Sequence, residues 1–237
     1  MGILFKDIYT KAIALFDDPK VTVAYKTNMV QFEKIMYTYL QNAIGLFHNP
    51  ASIGMRLANY TEPYGMLETF EGDGETNSFV IDDSIIVDAN KEYDYVFTEN
   101  NTFVKGSFDK DSRTVTFPDV LPEGQEYSFE LYYCGEFNDN FDGYHETTKV
   151  SDGMVTVQIK DILARLVAKA WAESERGVLL DIRGILQDSD FKLTDSSKLL
   201  TAKNAWIDQL DTETFQMQNR LAWSIRFTQS TTRLGRG

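Results

Sequence analysis

The apolar residues of this chain change their spacing twice, and that change limits the fold more than any other feature. Between Asn28 and about Phe47, the residues Met29, Phe32, Met36, Leu40, Ile44 and Phe47 recur at steps of three and four, the spacing of one helical face. From about Leu67 to Val157 the spacing falls to two, as in half-buried strands. After Val157 the helical spacing returns, with Ile159, Ile162, Leu163, Leu166, Val167, Ala170 and Trp171 forming a wide apolar stripe.

Local signals give these segments their ends. A first helix is expected over 3–16, with Leu4, Ile8, Leu15 and Phe16 on one side. It stops before Asp17-Asp18-Pro19 because proline disfavours helix in the residue before it. Thr27 or Asn28 caps the second helix, and Asn49-Pro50 ends it. Strands are expected at 77–81, 85–88, 93–97, 114–117 and 127–133, separated by turns at Gly72-Asp73-Gly74, Lys110-Asp111-Ser112 and Pro122-Glu123-Gly124. Gly177 reads as the stop of the third helix. A last helix starts with Asp195 or Ser196 as its cap and turns Leu199, Trp206, Ile207, Leu210, Met217 and Leu221 towards one face.

The expected fold class is therefore α+β. Residues 1–66 and 158–219 form a helical bundle, and residues 67–157 interrupt it as an antiparallel β-sandwich or barrel-like insertion. Neither helical half buries its stripe unaided, so the two must pack together. Residues 220–237 carry Arg220, Arg226, Arg233 and Arg236 with no acidic residue, and read as a flexible basic arm.

Charge narrows the function. The chain has a formal net charge of −13, while its last 18 residues carry +4. An acidic surface repels nucleic acid, since phosphate contacts need clustered Lys and Arg. Such a surface suits both solubility and a conduit past which DNA slides without binding. No apolar run is long enough for a membrane span, and the first residues lack the pattern of a signal peptide, so manufacture and use in a cytoplasm are expected. Cys134 is the lone cysteine, which leaves no intrachain disulfide and no cysteine-based metal site.

Residues 69–133 carry a resemblance. The run Thr69-Phe70-Glu71-Gly72-Asp73-Gly74-Glu75-Thr76-Asn77-Ser78-Phe79-Val80-Ile81 resembles a segment found in tailed-bacteriophage virion proteins. There a Gly-Asp-Gly turn precedes a Thr and a Phe-bearing strand. A Tyr-rich strand, an x-Val-x-Phe strand, a Pro-x-Gly turn and an alternating strand follow. Here Tyr93–Phe97, Thr114–Phe117, Leu121–Gly124 and Tyr127–Tyr133 look like that continuation. With helices on either side, the chain resembles the neck or head–tail connector (adaptor-like) proteins, small helical bundles that a β element interrupts. The resemblance implies a virion structural protein made in a host bacterium. It would form a homo-oligomeric ring of about a dozen copies, join portal protein to tail and neck proteins, and line the exit channel of the genomic DNA. A tail or fibre-attachment protein is the alternative within the virion, and a carbohydrate-binding or hydrolytic module the alternative of another class.

Candidate chemistry is sparse, and no catalytic, cofactor-binding or metal residue is assigned; the chain is not expected to be an enzyme. Asn138-x-Asn140-x-Asp142-Gly143 opens like a calcium loop, but its strongest ligand position holds Lys149. His145 beside Glu146 has the types of a general base without a nucleophile motif. His48 reads as a cap on the second helix. Gly72-x-Gly74 lacks the third glycine of a dinucleotide fingerprint, since Asn77 stands there. Trp171 and Trp206 read as core. Contact residues for assembly are expected at Trp223, Ile225, Arg226, Phe227 and Arg233 of the arm, and at Tyr132 and Tyr144 of the insertion.

Overall fold

The computed structural model describes residues 2–16, 19–100, 102–139, 141, 154–187 and 194–234, with side chains left aside for 19–20, 154, 178–197 and 226–234. It is a mixed α+β protein whose sheets are all antiparallel, and among the described residues none closes into a barrel. The chain divides into two compact units. One, here the helical unit, takes residues 1–21, 35–61 and 136–237; the other, the β unit, takes 22–34 and 62–135.

The helical unit begins with β1 (Ile3–Leu4) and α1 (Phe5–Phe16). α1 is two residues shorter than the sequence suggests because Ile3 and Leu4 pair instead with β10 (Glu136–Phe137), which also pairs with β2 (Tyr60–Thr61). Phe5 seals this small sheet, 4.9 Å from the Phe137 ring and 5.7 Å from the Tyr60 ring. Such aromatic pairs add about 0.5–1.5 kcal/mol each beyond the area they bury. α4 (Ala51–Leu57) turns back beside Phe47. It needs Gly54 there, because a Cβ would lie 2.6 Å from the Phe47 carbonyl oxygen.

Two long helices complete this unit, α5 (Met154–Gln187) and α6 (Thr194–Leu234). α5 pairs with α1 through Lys160–Asp7, Lys11–Asp161 and the Phe16–Trp171 stack at 4.4 Å. Residue numbers rise together along these pairs, so the two helices run parallel. It pairs antiparallel with α6 through Arg165–Glu213, Lys169–Asp211, Trp171–Trp206 and Glu175–Lys203. Trp171 and Trp206 thus meet on the apolar faces, as expected, and are half-buried. Gly177 does not stop α5. A mid-helix glycine costs only about 1 kcal/mol, and nothing would crowd a side chain there, so the helix runs on to Gln187. α6 likewise continues through Arg220 to Leu234, where the sequence suggested a flexible arm.

The β unit opens with α2 (Pro19–Thr27), which contributes residues from Thr22, and with the first turn of α3 (Met29–Gly45). Proline at the first helical position of α2 loses no helical hydrogen bond. Asn28 caps α3 as expected, its Oδ1 accepting from the Gln31 amide at 3.0 Å. Two sheets follow. β3 (Tyr64–Glu71), β9 (Glu126–Tyr133), β5 (Asp94–Glu99) and β6 (Thr102–Val104) form one, in that spatial order; β4 (Ser78–Val80), β8 (Thr114–Thr116) and β7 (Ser107–Asp109) form the other.

They pack as a sandwich around phenylalanine. Phe129 of β9 is fully buried, 5.1 Å from Phe97 on its own sheet and 5.1 Å from Phe108 opposite, while Phe79 of β4 meets Phe70 of β3 at 5.3 Å. The segment 85–88, expected as a strand, is irregular chain after a turn at 83–84, and its Ile85 still enters this core. The second segment of the β unit runs from Glu62 to Gly135, against the expected 67–157.

Candidate functional site

The Gly-Asp-Gly and Pro-x-Gly turns prove to be partners. The Gly72 amide donates to the Gln125 carbonyl at 2.8 Å, the Gly124 amide to the Gly72 carbonyl at 2.9 Å, and the Gly74 amide to the Leu121 carbonyl at 3.0 Å. Gly72 must be glycine because a Cβ would strike the Pro122 carbonyl oxygen. Asp73 then fastens the turn from within, accepting from the Glu75 and Thr76 amides and the Thr76 hydroxyl. Those bonds, the Thr76 amide foremost, hold its carboxyl below the usual carboxylate range. The motif's Asp and Thr are thus structural groups.

Beside these paired turns lies an open cleft of about 430 Å³. Phe117, Leu121 and Tyr127 are its buried apolar lining; Pro118, Asp119, Val120 and Pro122 form one wall, with Val104 and Lys105 of the β6 edge also lining it. Carboxylates gather at this end of the sandwich. Asp119 lines the cleft, Glu123 and Asp73 stand on the two turns, and Glu71 is the register partner of Glu126 across β3 and β9. After burial, the Glu99 charge is the second cause raising the Tyr127 hydroxyl above its ordinary value. None of these six carboxylates joins an ion pair among the described residues.

The acidity is a property of this unit. It holds eighteen Asp and Glu against six Lys and Arg, a net −12, whereas the helical unit holds eighteen against seventeen, a net −1.

At another place in the β unit, Tyr64, Tyr93 and Tyr133 cluster, with the Lys91 ammonium 4.3 Å from the Tyr133 ring centre and 5.2 Å from that of Tyr64. Burial and the Tyr64 hydroxyl 3.1 Å away push the Tyr93 hydroxyl up to about 12. A phenol raised so far is no general base near neutrality.

The helical unit has its own cleft, about 460 Å³, between the end of α3 and the pair α5 and α6. His48 lines it, but the cap on α3 is Gln218. The Gln218 Oε1 accepts from the His48 and Asn49 amides at 2.9 Å each, and its Nε2 donates to the Leu46 carbonyl. Asn49 Nδ2 adds a bond to Asn219 Oδ1 at 2.8 Å. With Lys169 paired to Asp211 on the rim, the polar groups here are engaged with one another and assemble no nucleophile and base.

The expected contact residues divide. Trp223 is 70% exposed on α6, and Phe215, two turns earlier, is exposed with it. Ile225 is buried and belongs to the chain's own core. Tyr132 is corrected likewise: it is 4% exposed, packed with Val30, Cys134 and Val96, with the Lys34 ammonium 5.7 Å from its ring centre and paired to Glu130. Along β9 Tyr132 alternates with the buried Leu131 and Tyr133, and the start of α3 covers that end of its face. The side chains of Arg226, Phe227 and Arg233, and Tyr144 altogether, lie outside the described residues, as do His145 and Glu146. Of the calcium-like loop, Asn138 is engaged by Asn59 and Thr61, and Asp139 by Nε and Nη2 of Arg56, while Asn140 and Asp142 lie outside. Among the described residues no group of three or more His, Cys, Asp or Glu is placed to hold a metal ion, and no described helix is long and apolar enough to cross a membrane.

The chain matches no family model, no curated protein and no solved structure.

Proposed function

We propose that this protein is a structural component of a tailed-bacteriophage virion, a ring-forming head–tail connector of the neck that joins portal to tail around the DNA channel. On this reading the helical unit is a bundle that the β unit interrupts. The observation that carries the proposal is the pairing of the two turns by which the β unit resembles phage virion proteins. Gly72, Gly74 and Thr76 are each fixed against Leu121–Gln125 and Asp73 braces their turn from within, so the motif belongs to a module's architecture and not to a reactive site.

Two further features support it. The β unit gathers nearly all of the net negative charge, which suits a wall past which DNA moves without sticking. The exposed Phe215 and Trp223 on one long helix supply the large apolar side chains that subunit contacts favour. Light scattering on the full chain, alone and mixed with the portal protein of its own virus, tests the reading. Discrete high-mass assemblies, formed alone or on addition of portal, are expected. A chain that stays monomeric and ignores the portal at every concentration overturns it.

A further inference from the structure

We propose that the cleft beside the paired turns of the β unit is the seat for the C-terminal part of α6 from a second copy, with Trp223 as the inserted side chain. The inference rests on the assembly reading above and adds to it the acceptor surface.

The acceptor side is incomplete by itself. Phe117, Leu121 and Tyr127 form its buried floor, and the apolar surface it leaves to solvent is that of Val120, 48% exposed, with the exposed Pro118 and Pro122 beside it. Glu71 and Glu126 face each other directly across the strands, an arrangement of like charges that costs stability until a cation intervenes. Asp119, Glu123 and Glu99 stand close to the same opening, with Lys105 the one cation among its lining residues. An apolar depression rimmed by uncompensated carboxylates fits an aromatic side chain flanked by cations.

The chain contains one segment of that chemistry. From Thr214 to Gly237 there are four arginines and no acid. Trp223 stands out from α6, 70% exposed, and Arg220 and Arg226 are three residues to either side of it, a spacing that keeps all three on neighbouring positions of one helical surface. Tryptophan and arginine are the residue types that dominate contact energies. Opposite fields of −12 on the acceptor unit and +4 on the donor segment also speed and orient the encounter. Contacts of this kind run head to tail, donor of one copy to acceptor of the next, and so close into rings when the rotation permits.

Self-association of the full chain, measured by sedimentation velocity, tests this with substitutions at Trp223, at the two arginines beside it and at two exposed carboxylates of the acceptor. Trp223→Ala is expected to weaken association about thirtyfold, the cost of losing a hot-spot side chain. Arg220→Glu with Arg226→Glu, or Asp119→Lys with Glu123→Lys, should each weaken it about tenfold or more. A chain carrying all four reversals should recover most of the loss, which a folding defect would not do. Unchanged association in the reversed chains, or loss without recovery in the swapped one, overturns this seat and leaves assembly standing. A wild-type chain that never self-associates removes the assembly reading for the isolated chain and the seat with it. A disulfide forming within one chain, not between chains, when Val120→Cys and Trp223→Cys are combined also overturns the second-copy assignment.

Discussion

Gln218→Ala should loosen the helical unit more than its single polar side chain suggests. Gln218 is buried, and its amide serves three backbone groups at the end of α3: it accepts from His48 and Asn49 at 2.9 Å and donates to Leu46 at 3.4 Å. Each such bond contributes about 1 kcal/mol net, and a buried amide left unpaired costs about 1–3 kcal/mol. The adjoining cleft lets water reach part of the vacated space, so the expected loss is about 2 kcal/mol, below the sum for three unreplaced bonds. Asn219→Ala removes one side-chain bond at the half-buried rim and should cost about 0.5 kcal/mol. Urea unfolding followed by tryptophan fluorescence isolates the effect, because Trp171, Trp206 and Trp223 all lie in the helical unit. A loss under about 0.5 kcal/mol for Gln218→Ala, or equal losses for the two variants, would refute the capping argument.

Three other outcomes are expected. Gly54→Ala should lower stability by about 1–3 kcal/mol in the same assay, because its Cβ would press on the Phe47 carbonyl and the helix backbone must shift. Ultraviolet titration should show Tyr93 ionising only near pH 12, and Tyr64→Phe should bring that step down by removing one of its raising causes. Acid should weaken the helical unit at Asp139. Burial alone raises this carboxyl, but the Arg56 guanidinium and the Phe141 amide outweigh it and hold it below its ordinary 3.8. A depressed carboxyl gives stability that is present above 3.8 and is lost as pH falls through the lower folded value. Arg56→Met should therefore flatten the decline of stability below that pH, and an unchanged acid profile would count against the pairing.

Where local spacing decides the outcome, the sequence was readable. The periodicity of Met29–Ile44 gave α3, Asn28 its cap, and the alternation of Tyr127–Tyr133 gave β9. Missed elements lack that signal. α2, built from Pro19-Lys20-Val21-Thr22-Val23, is rich in β-branched residues that disfavour helix, and β3 begins at Tyr64 with a glycine next to it. The stretch Ile85–Asp88 looked like a strand because a buried isoleucine in irregular chain has the same local signature. Tyr132 was misread for a different reason: only distant packing by Val30 and Lys34 makes an outward strand position into core. Gln218 did leave a trace, since Thr214 and Gln218 are polar residues set into the buried row of Ile207, Leu210, Leu221 and Ile225. A polar residue inside an apolar helical stripe marks a buried hydrogen-bonding duty. The cleft beside the paired turns left none, because its lining comes from residues 104–127 brought together by the sandwich.

Self-assembly is the central claim, and electron microscopy of the negatively stained full chain tests it most directly, with its portal added if the chain alone stays small. Closed rings of one fixed copy number are the expected result. Single particles of monomer size in both samples, or open irregular aggregates without a defined copy number, would contradict it.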